Sequence, residues 1–212
     1  MNRRIKILIV IVVLITIGVI IINVFINKSK KIIVCIDAGH GGTDVGANNE
    51  NRHEKNDTLK IAKLVREYLE QENIEVIMTR ADDVTCTLQK RCKIANKKKS
   101  DIFVSLHRNS ADTGNGIETW INSKKNEKDI NLATNIMKYI RKTKIQNDRG
   151  IKYGTIKGEN TDYYVLNNTK MPSCLIELGF ISDDEDNKLF DENVKSYAEA
   201  IAKGIIETIN NK

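Results

Sequence analysis

Four side chains that can bind a metal ion or move a proton occur at the ends of predicted strands or at the start of a predicted helix. His40 and His107 each follow a predicted strand, Glu177 follows the apolar run 174–176, and Glu54 opens the first long amphipathic segment. Two imidazoles and one carboxylate are a common catalytic zinc set that leaves a position for water. A further carboxylate can then act as a base. These residue types indicate metal-assisted hydrolysis, provided that the fold brings them together.

The same residues also allow plainer interpretations. A histidine after a strand is often only a loop residue, and His53, which precedes Glu54, could itself bind a metal. The separated positions match no compact zinc motif such as H-E-x-x-H. Glu177 is harder to explain as a structural residue, because an unpaired carboxylate in apolar surroundings is costly. Spacing alone therefore leaves the ligand set open.

Short apolar runs alternate with amphipathic segments from about residue 31 onwards. Strands are predicted at 32–36, 76–78, 102–106, 117–121, 165–166 and 174–176, and helices at 54–70, 88–96, 129–141 and 194–209. The polar stretch 142–162 is predicted to form loops. This alternation indicates the α/β class, as a single domain with a mainly parallel mixed sheet flanked by helices on both faces. Functional groups collect beyond the C-terminal strand ends of such sheets, so the four side chains are expected to converge there.

The N-terminal 30 residues differ in character from the rest. Residues 7–26 are twenty uncharged and mostly apolar positions, which as a helix would span about 30 Å, the thickness of a bilayer core. We expect a membrane anchor over residues 1–30, with the transmembrane helix at about 7–26, and a catalytic domain over 31–212. A cleaved signal peptide is the alternative, but no small-residue cleavage site follows the apolar run.

The basic excess lies around this apolar segment and not on the domain. The net charge is +6, yet six of the 34 Lys+Arg precede the first acidic residue, Asp37, and the remaining 28 balance 28 Asp+Glu. A nucleic-acid-binding face would need that excess on the domain, so no nucleic-acid partner is expected. Basic residues beside an anchor would instead meet anionic lipid headgroups.

The cysteines give no metal-binding signal. They are Cys35, Cys86, Cys92 and Cys174, and their positions show no paired metal-ligand spacing. Cys35 and Cys174 lie in apolar runs typical of buried free thiols. The sequence assigns no disulfide.

A series of short motifs extends in a fixed order from about residue 31 to the C-terminus. They are Asp37-Ala38-Gly39-His40-Gly41-Gly42-x-Asp44-x-Gly46-Ala47, Glu54-Lys55, Thr79-Arg80, Arg91 with Ala95-Asn96, Ser105-Leu106-His107-x-Asn109-Ser110, Gly116-Ile117-Glu118 and Glu177-Leu178-Gly179-Phe180-Ile181-Ser182. This series resembles the zinc-dependent N-acetylmuramoyl-L-alanine amidases (amidase type 3). The chain departs from the family pattern at Ala38, Arg108 and Asp183, none of which removes a ligand.

The resemblance implies an enzyme that holds Zn²⁺ with His40, Glu54 and His107 and uses Glu177 as its catalytic carboxylate. The implied substrate is peptidoglycan, cut at the amide between N-acetylmuramic acid and L-alanine. Zinc would polarise the amide carbonyl, and Glu177 would take a proton from the attacking water and pass one to the alanine nitrogen.

Four further residues are expected to support the ligands or the substrate. Asp37, Asn109 and Glu118 would orient the ligands or the sugar-peptide, although Asp37 could equally be a turn residue that bonds its own backbone. Arg108 would bind a stem-peptide carboxylate with two hydrogen bonds, or else lie solvated on the surface.

The biological role stays open between several possibilities. With Arg108 after His107 and an anchor before a single catalytic domain, the chain resembles most the sporulation branch of the family. That branch prepares spore cortex for muramic-lactam formation, which would place the domain outside the cell membrane, between the forespore and mother-cell membranes. Cell separation, another zinc peptidase or deacetylase of the wall, and a catalytically silent wall-binding protein are the alternatives. An accessory protein is possible, and neither it nor the oligomeric state is fixed by the sequence.

Overall fold

The computed structural model describes residues 2–3, 5, 9, 11–18, 31–155 and 161–211. The chain separates into two compact units, Met1–Lys31 and Ile32–Lys212. In the first unit, residues 11–18 are helical. Among the residues that are described, no helix has both the length and the apolar character that a membrane span requires. Much of the predicted transmembrane segment at about 7–26 lies outside the described residues.

A twisted mixed sheet forms the centre of the second unit. Its strands are β1 (Ile33–Ala38), β4 (Glu75–Met78), β5 (Ile102–Asn109), β6 (Ile117–Ile121), β7 (Asp148–Tyr153) and β8 (Ser173–Phe180), and a separate hairpin joins β2 (Asn48–Asn49) to β3 (Arg52–His53). The strand order in the sheet is β4-β1-β5-β8-β6-β7. Strands β4, β1, β5 and β8 are parallel, whereas β6 runs antiparallel to β8 and pairs in parallel with β7. The C-terminal ends of β1, β5 and β8 therefore meet the beginning of β6 at one edge.

Helices cover both faces of this sheet. They are α1 (Glu54–Gln71), α2 (Leu88–Lys97), α3 (Glu127–Thr143), α4 (Tyr164–Asn168) and α5 (Asp184–Asn210). Helices α1, α3 and α5 pack on one face, where Val34 and Val104 contribute to the main core. Helices α2 and α4 pack on the other, against Cys35, Phe103 and Leu175. Because successive strand residues point to opposite faces, both must be apolar, which confirms the predicted α/β class and explains the continuous apolar runs.

Three predicted elements differ from the structure. Residues 165–166 belong to the short helix α4 and not to a strand. The strand prediction was wrong because a run of two apolar residues has no periodicity that distinguishes a helix from a strand. The predicted loop region 142–162 contains β7, whose half-exposed residues lie at the sheet edge and show no apolar run. Helix α5 begins ten residues before the predicted start, where the Asp183 side chain accepts a hydrogen bond of 2.8 Å from the Asp186 amide and caps the first turn.

Candidate metal centre and catalytic cleft

His40 lies in a strained loop that directly follows β1. Its backbone has a φ of 59°, in the left-handed region that non-glycine residues seldom adopt. Two buried arginines hold this loop through its carbonyl oxygens. Arg91 donates to Ala38 and His40, at 2.6 Å each, and Arg80 donates to Gly39 at 2.8 Å. The surrounding structure thus fixes a conformation that the chain alone would avoid.

Asp37 supports the same loop from within the sheet. Its buried carboxylate accepts hydrogen bonds from Ser105 and Arg91, each 2.7 Å long, and from Thr79. Burial by itself would raise the pKa of Asp37, but the Arg91 charge and these hydrogen bonds hold that pKa below its ordinary value. Asp37 therefore bonds to other elements, which contradicts the alternative of a turn residue that bonds its own backbone.

Glu54 begins α1 and lies between the two predicted histidine ligands. Its Oε2 is 3.0 Å from His40 Nε2, and its Oε1 is 2.9 Å from His107 Nδ1. The backbone amides of Ala47 and Arg108 each donate to this carboxylate at 2.9 Å. Burial would raise the pKa of Glu54, but the hydrogen bonds from His107 and His40 hold it far below its ordinary value. Glu54 is therefore ionised, as a metal ligand must be.

The three side chains fit a zinc ion. Their donor atoms all lie within 4.8 Å of one another. In a tetrahedral site with bonds of about 2.0 Å, ligand atoms are about 3.3 Å apart. Here each imidazole nitrogen lies 2.9 or 3.0 Å from one of the two oxygens of Glu54. Two glycines leave space for these side chains. A Cβ on Gly39 would lie 2.4 Å from the His107 ring, and a Cβ on Gly46 would lie 2.6 Å from Glu54 Oε2. His40, Glu54 and His107 could thus hold the metal.

Asp44 sets the orientation of the His40 ring. The Oδ2 of Asp44 lies 2.9 Å from His40 Nδ1, which leaves Nε2 directed at Glu54. Such a carboxylate–histidine pair is a frequent partner of a metal site. Burial would lower the pKa of His40, but hydrogen bonds and charges from Glu54 and Asp44 raise it above its ordinary value. His53, the alternative ligand, belongs to β3 and is not in the metal-capable group found among the described residues.

Glu177 lies on β8, in register with His107 on β5 and with Glu118 on β6. The side chain is buried, and its Oε2 has no hydrogen-bond partner among the described residues. Burial, and then the charges of Glu54 and Glu118, raise the pKa of Glu177 well above its ordinary value, with Arg108 opposing. An unpartnered, protonatable carboxylate at the metal-binding edge has the properties of a general acid–base.

Comparison with known proteins identifies the family. Residues 34–210 match the family model described as N-acetylmuramoyl-L-alanine amidase. The chain belongs to this amidase family. The N-acetylmuramoyl-L-alanine amidase CwlM of Bacillus licheniformis is 32% identical over 181 residues, which cover 84% of this chain and 68% of CwlM.

Two solved structures share the amidase fold. The catalytic domain of CwlV, an N-acetylmuramoyl-L-alanine amidase from Bacillus (Paenibacillus) polymyxa var. colistinus, is 36% identical with a TM-score of 0.76, over 85% of this chain and 99% of that one. The CwlD amidase from Clostridioides difficile, solved in complex with the GerS lipoprotein, is 28% identical with a TM-score of 0.77. That match covers 86% of this chain and all of the CwlD chain.

Asn109 and Glu118, two of the predicted supporting residues of the amidase, belong to one buried network. Asn109 donates to Glu118 Oε1 at 2.8 Å, and Trp120 Nε1 donates to the same oxygen at 3.0 Å. Arg149 donates to the other oxygen, Oε2, at 2.7 Å. Both oxygens of Glu118 are thus occupied beside Glu177, which fits a role in holding this edge of the sheet. Asn109 also lines the cleft.

Arg108 occupies a different place from either of its predicted ones. Its side chain is 0% exposed and donates to Asp57 Oδ2 at 2.7 Å and to Asn187 Oδ1 at 2.8 Å. The guanidinium also lies over the Phe190 ring, 4.5 Å from its centroid. This burial contradicts both a direct bond to a stem-peptide carboxylate and a solvated surface position. Arg108 instead joins α1 to α5 behind the metal ligands.

The cleft of the amidase has a volume of about 580 Å³, within the range of small-molecule sites. At one end lie His40, Glu54, His107 and Glu177, and the other wall is formed by residues 85–88 and 163–165. Sequence reasoning named these four residues but missed the supporting roles of Asp44, Arg80 and Arg91. All three stand within the quoted motifs, and a carboxylate four residues after His40 was the available signal for Asp44.

Proposed function

We propose that this protein hydrolyses the amide bond between N-acetylmuramic acid and L-alanine in peptidoglycan, with zinc as its cofactor. One observation carries the proposal: in a chain of the amidase family, two histidines and an ionised glutamate meet beside Glu177, a buried glutamate with one unpartnered oxygen. Membership of the family indicates which bond is hydrolysed, and the four side chains provide groups that could bind the metal and transfer the proton.

The chemistry divides between the ligands and Glu177. Bound zinc would polarise the amide carbonyl and lower the pKa of water toward about 7. His40, Glu54 and His107 would hold the ion, and Asp44 would keep Nε2 of His40 directed at it. Glu177 would accept a proton from the attacking water and then deliver one to the alanine nitrogen as the amide breaks.

Digestion of isolated peptidoglycan tests the bond specificity. The zinc-loaded protein should release stem peptides with a free N-terminal alanine, which mass spectrometry identifies directly. A wall peptidase would instead cut within the peptides, and a deacetylase would leave amino sugars without their acetyl groups. Binding without zinc-dependent release would identify a silent wall-binding protein. Each of these three results would contradict the proposal.

We further propose that the protein is held in the cell membrane by residues 1–30, with its catalytic domain on the outer side, and acts in spore-cortex maturation. The uncharged segment 7–26 supports the anchor, and the resemblance to the sporulation branch supports the role. A deletion strain should form spores with less muramic lactam. Normal lactam content together with chains of unseparated cells would favour cell separation instead.

The likeness to CwlD, which was solved with a lipoprotein, supports a search for an accessory protein. We propose that such a partner binds the catalytic domain. Cross-linking in sporulating cells, followed by isolation of this chain, should recover a second wall- or membrane-associated protein. Recovery of this chain alone would contradict the proposal.

A further inference from the structure

Two of the three exposed large apolar side chains described in the catalytic unit line one cleft. Within residues 31–155 and 161–211 they are Val84 and Leu88, each 49% exposed, and Tyr164, 39% exposed. Leu88 and Tyr164 both line the cleft that holds His40, Glu54 and His107, and Val84 directly precedes Thr85, another lining residue. Exposed apolar residues scattered singly need no explanation, but a group at one cleft indicates a binding surface.

The backbone presents these side chains rigidly. Leu88 begins α2 directly after Thr87, whose side chain caps the helix by accepting a hydrogen bond of 3.2 Å from the Lys90 amide. Tyr164 begins α4 between two fixed neighbours: Tyr163 packs edge to face on Trp120 at 5.7 Å, and Val165 is buried. Neither Leu88 nor Tyr164 contributes to the apolar core beneath α2 and α4. The side chains of Leu88 and Tyr164 are therefore not required for the packing of this core.

This wall of the cleft also lacks charge. The charged and titratable residues that line the cleft lie around the candidate metal site or behind it. They are Asp37, His40, Asp44, Glu54, Arg91, His107, Arg108 and Glu177. The wall at 85–88 and 163–165 contains no acidic or basic side chain. The Thr87 hydroxyl caps α2, and the Thr85 hydroxyl accepts from the Thr43 amide at 3.1 Å. The rest of this wall is apolar surface together with the Cys86 thiol and the phenols of Tyr163 and Tyr164.

We propose that Tyr164 and Leu88 form the glycan subsite, in which the N-acetylmuramic acid ring stacks on Tyr164 and packs against Leu88. This inference rests on the proposed function. The sugar is joined to the scissile carbonyl only through the short lactyl group, so its ring must lie next to the metal centre. The ring is uncharged and has apolar faces, whereas stem peptides carry ionised groups that a wall without charges would desolvate at a cost. An aromatic ring with a polar tip suits such a sugar face.

Binding measurements with separated parts of the substrate test the subsite. The probes are glycan strands stripped of peptides and free stem tripeptide, with the zinc-loaded full chain. Tyr164→Ala should weaken glycan binding about tenfold, the worth of one ring contact, and leave tripeptide binding unchanged. Tyr164→Phe is the matched control and should bind glycan as the native chain does. Leu88→Ser should show a smaller loss of about threefold.

Kinetics on peptidoglycan fragments supply the second measurement. Tyr164→Ala should raise KM about tenfold with kcat within twofold, at unchanged zinc content and melting temperature. Glycan affinity and KM that stay native in Tyr164→Ala would overturn the subsite, as would a native chain that does not bind stripped glycan. An equal loss for glycan and tripeptide would overturn it too. A native chain that binds glycan but releases no alanine-terminated peptide would instead refute the proposed amidase activity.

Discussion

Two buried glutamates at one metal site carry opposite pKa shifts. Hydrogen bonds from His107 and His40 outweigh the effect of burial and keep the pKa of Glu54 far below its usual value. Burial without such partners raises the pKa of Glu177 well above that value. When two environments shift the pKa values of two carboxyl groups in opposite directions, the ionised group suits a metal ligand and the protonatable group suits a general acid–base catalyst. The structure therefore supports the assignment that spacing alone left open.

Replacement of Glu177 by glutamine tests the acid–base role. The amide side chain has nearly the same volume but cannot take a proton from water. Glu177→Gln should lower peptide release from purified peptidoglycan by about 10²–10⁴-fold. Zinc content, measured by elemental analysis, should stay native because the three ligands are untouched. Full activity in this variant would exclude Glu177 as the base.

The same substitution should change the pH dependence of stability. Because the native pKa of Glu177 is raised above the ordinary value of 4.5 for a glutamate, the unfolded state loses this proton first as pH rises. A cost to the native state therefore grows from about pH 4.5 up to the native pKa and persists above it. Glu177→Gln removes that cost, so the metal-free variant should melt higher than the metal-free native chain at pH 8.

The comparison at acid pH provides the control for this experiment. Near pH 4 the carboxyl group is protonated in both states, so the two melting temperatures should converge. Zinc must be chelated in every sample, because a bound cation would offset the charge of Glu177. A native chain that is the more stable of the two at pH 8 would disagree with the direction of the shift.

Among the elements, the loop between β1 and the hairpin packs directly against the predicted metal ligand His107. Gly39 adjoins the His107 ring so closely that a Cβ would lie 2.4 Å from Cε1. Gly39→Ala should therefore displace His107 and weaken zinc binding by at least about tenfold, on the scale of changes around metal ligands. Competition with a chelator of known affinity would measure this loss. Native zinc affinity would show that the ring can move without cost.

A buried ion pair joins β5 to α1 behind the candidate metal ligands. Arg108 donates to Asp57 at 2.7 Å, and Asp57 also accepts from Arg52 at 2.8 Å. Arg108→Ala removes one partner of a buried charge and should cost about 3 kcal/mol of unfolding free energy. The matched control is Arg66→Ala on α1, whose partly exposed pair with Glu70 spans 3.9 Å and should contribute less than about 0.5 kcal/mol. Equal effects in denaturant titrations would contradict the structural role of Arg108.

In the catalytic unit as a whole, the topology of the sheet places the candidate functional side chains at one edge. Parallel β1, β5 and β8 bring His40, His107 and Glu177 to their C-terminal ends, and antiparallel β6 brings Glu118 there from its N-terminal end. The cleft opens at this edge and extends toward α2 and α4. The catalytic unit, Ile32–Lys212, contains all of these residues and its own core.

Removal of residues 1–30 tests the proposed anchor. Because the catalytic unit has its own core, the truncated chain should keep its activity on soluble peptidoglycan fragments. Fractionation of cells should place the full chain with the membranes and the truncated chain in the soluble fraction. Membrane association that survives the truncation, or a soluble full chain, would contradict the anchor.

The sequence predicts the α/β class and places His40, His107 and Glu177 at the C-terminal ends of strands. Continuous apolar runs require a sheet covered on both faces, and the C-terminal ends of parallel strands must share an edge. These conclusions need only local patterns and one rule of topology, whereas the ligand role of Glu54, which begins a helix, is implied by the family resemblance.

Only the tertiary structure decided which side chains are free to act. The guanidinium of Arg108 donates hydrogen bonds to Asp57 and Asn187, which lie 51 and 79 positions away in the sequence. The carboxylate of Glu118 accepts hydrogen bonds from Asn109, Trp120 and Arg149. Val165 and Leu166 lie within α4 and pack into the core with Trp120 and Leu175, whereas β7 has too little buried surface to leave a pattern. Such outcomes depend on contacts between distant segments, which no local spacing encodes.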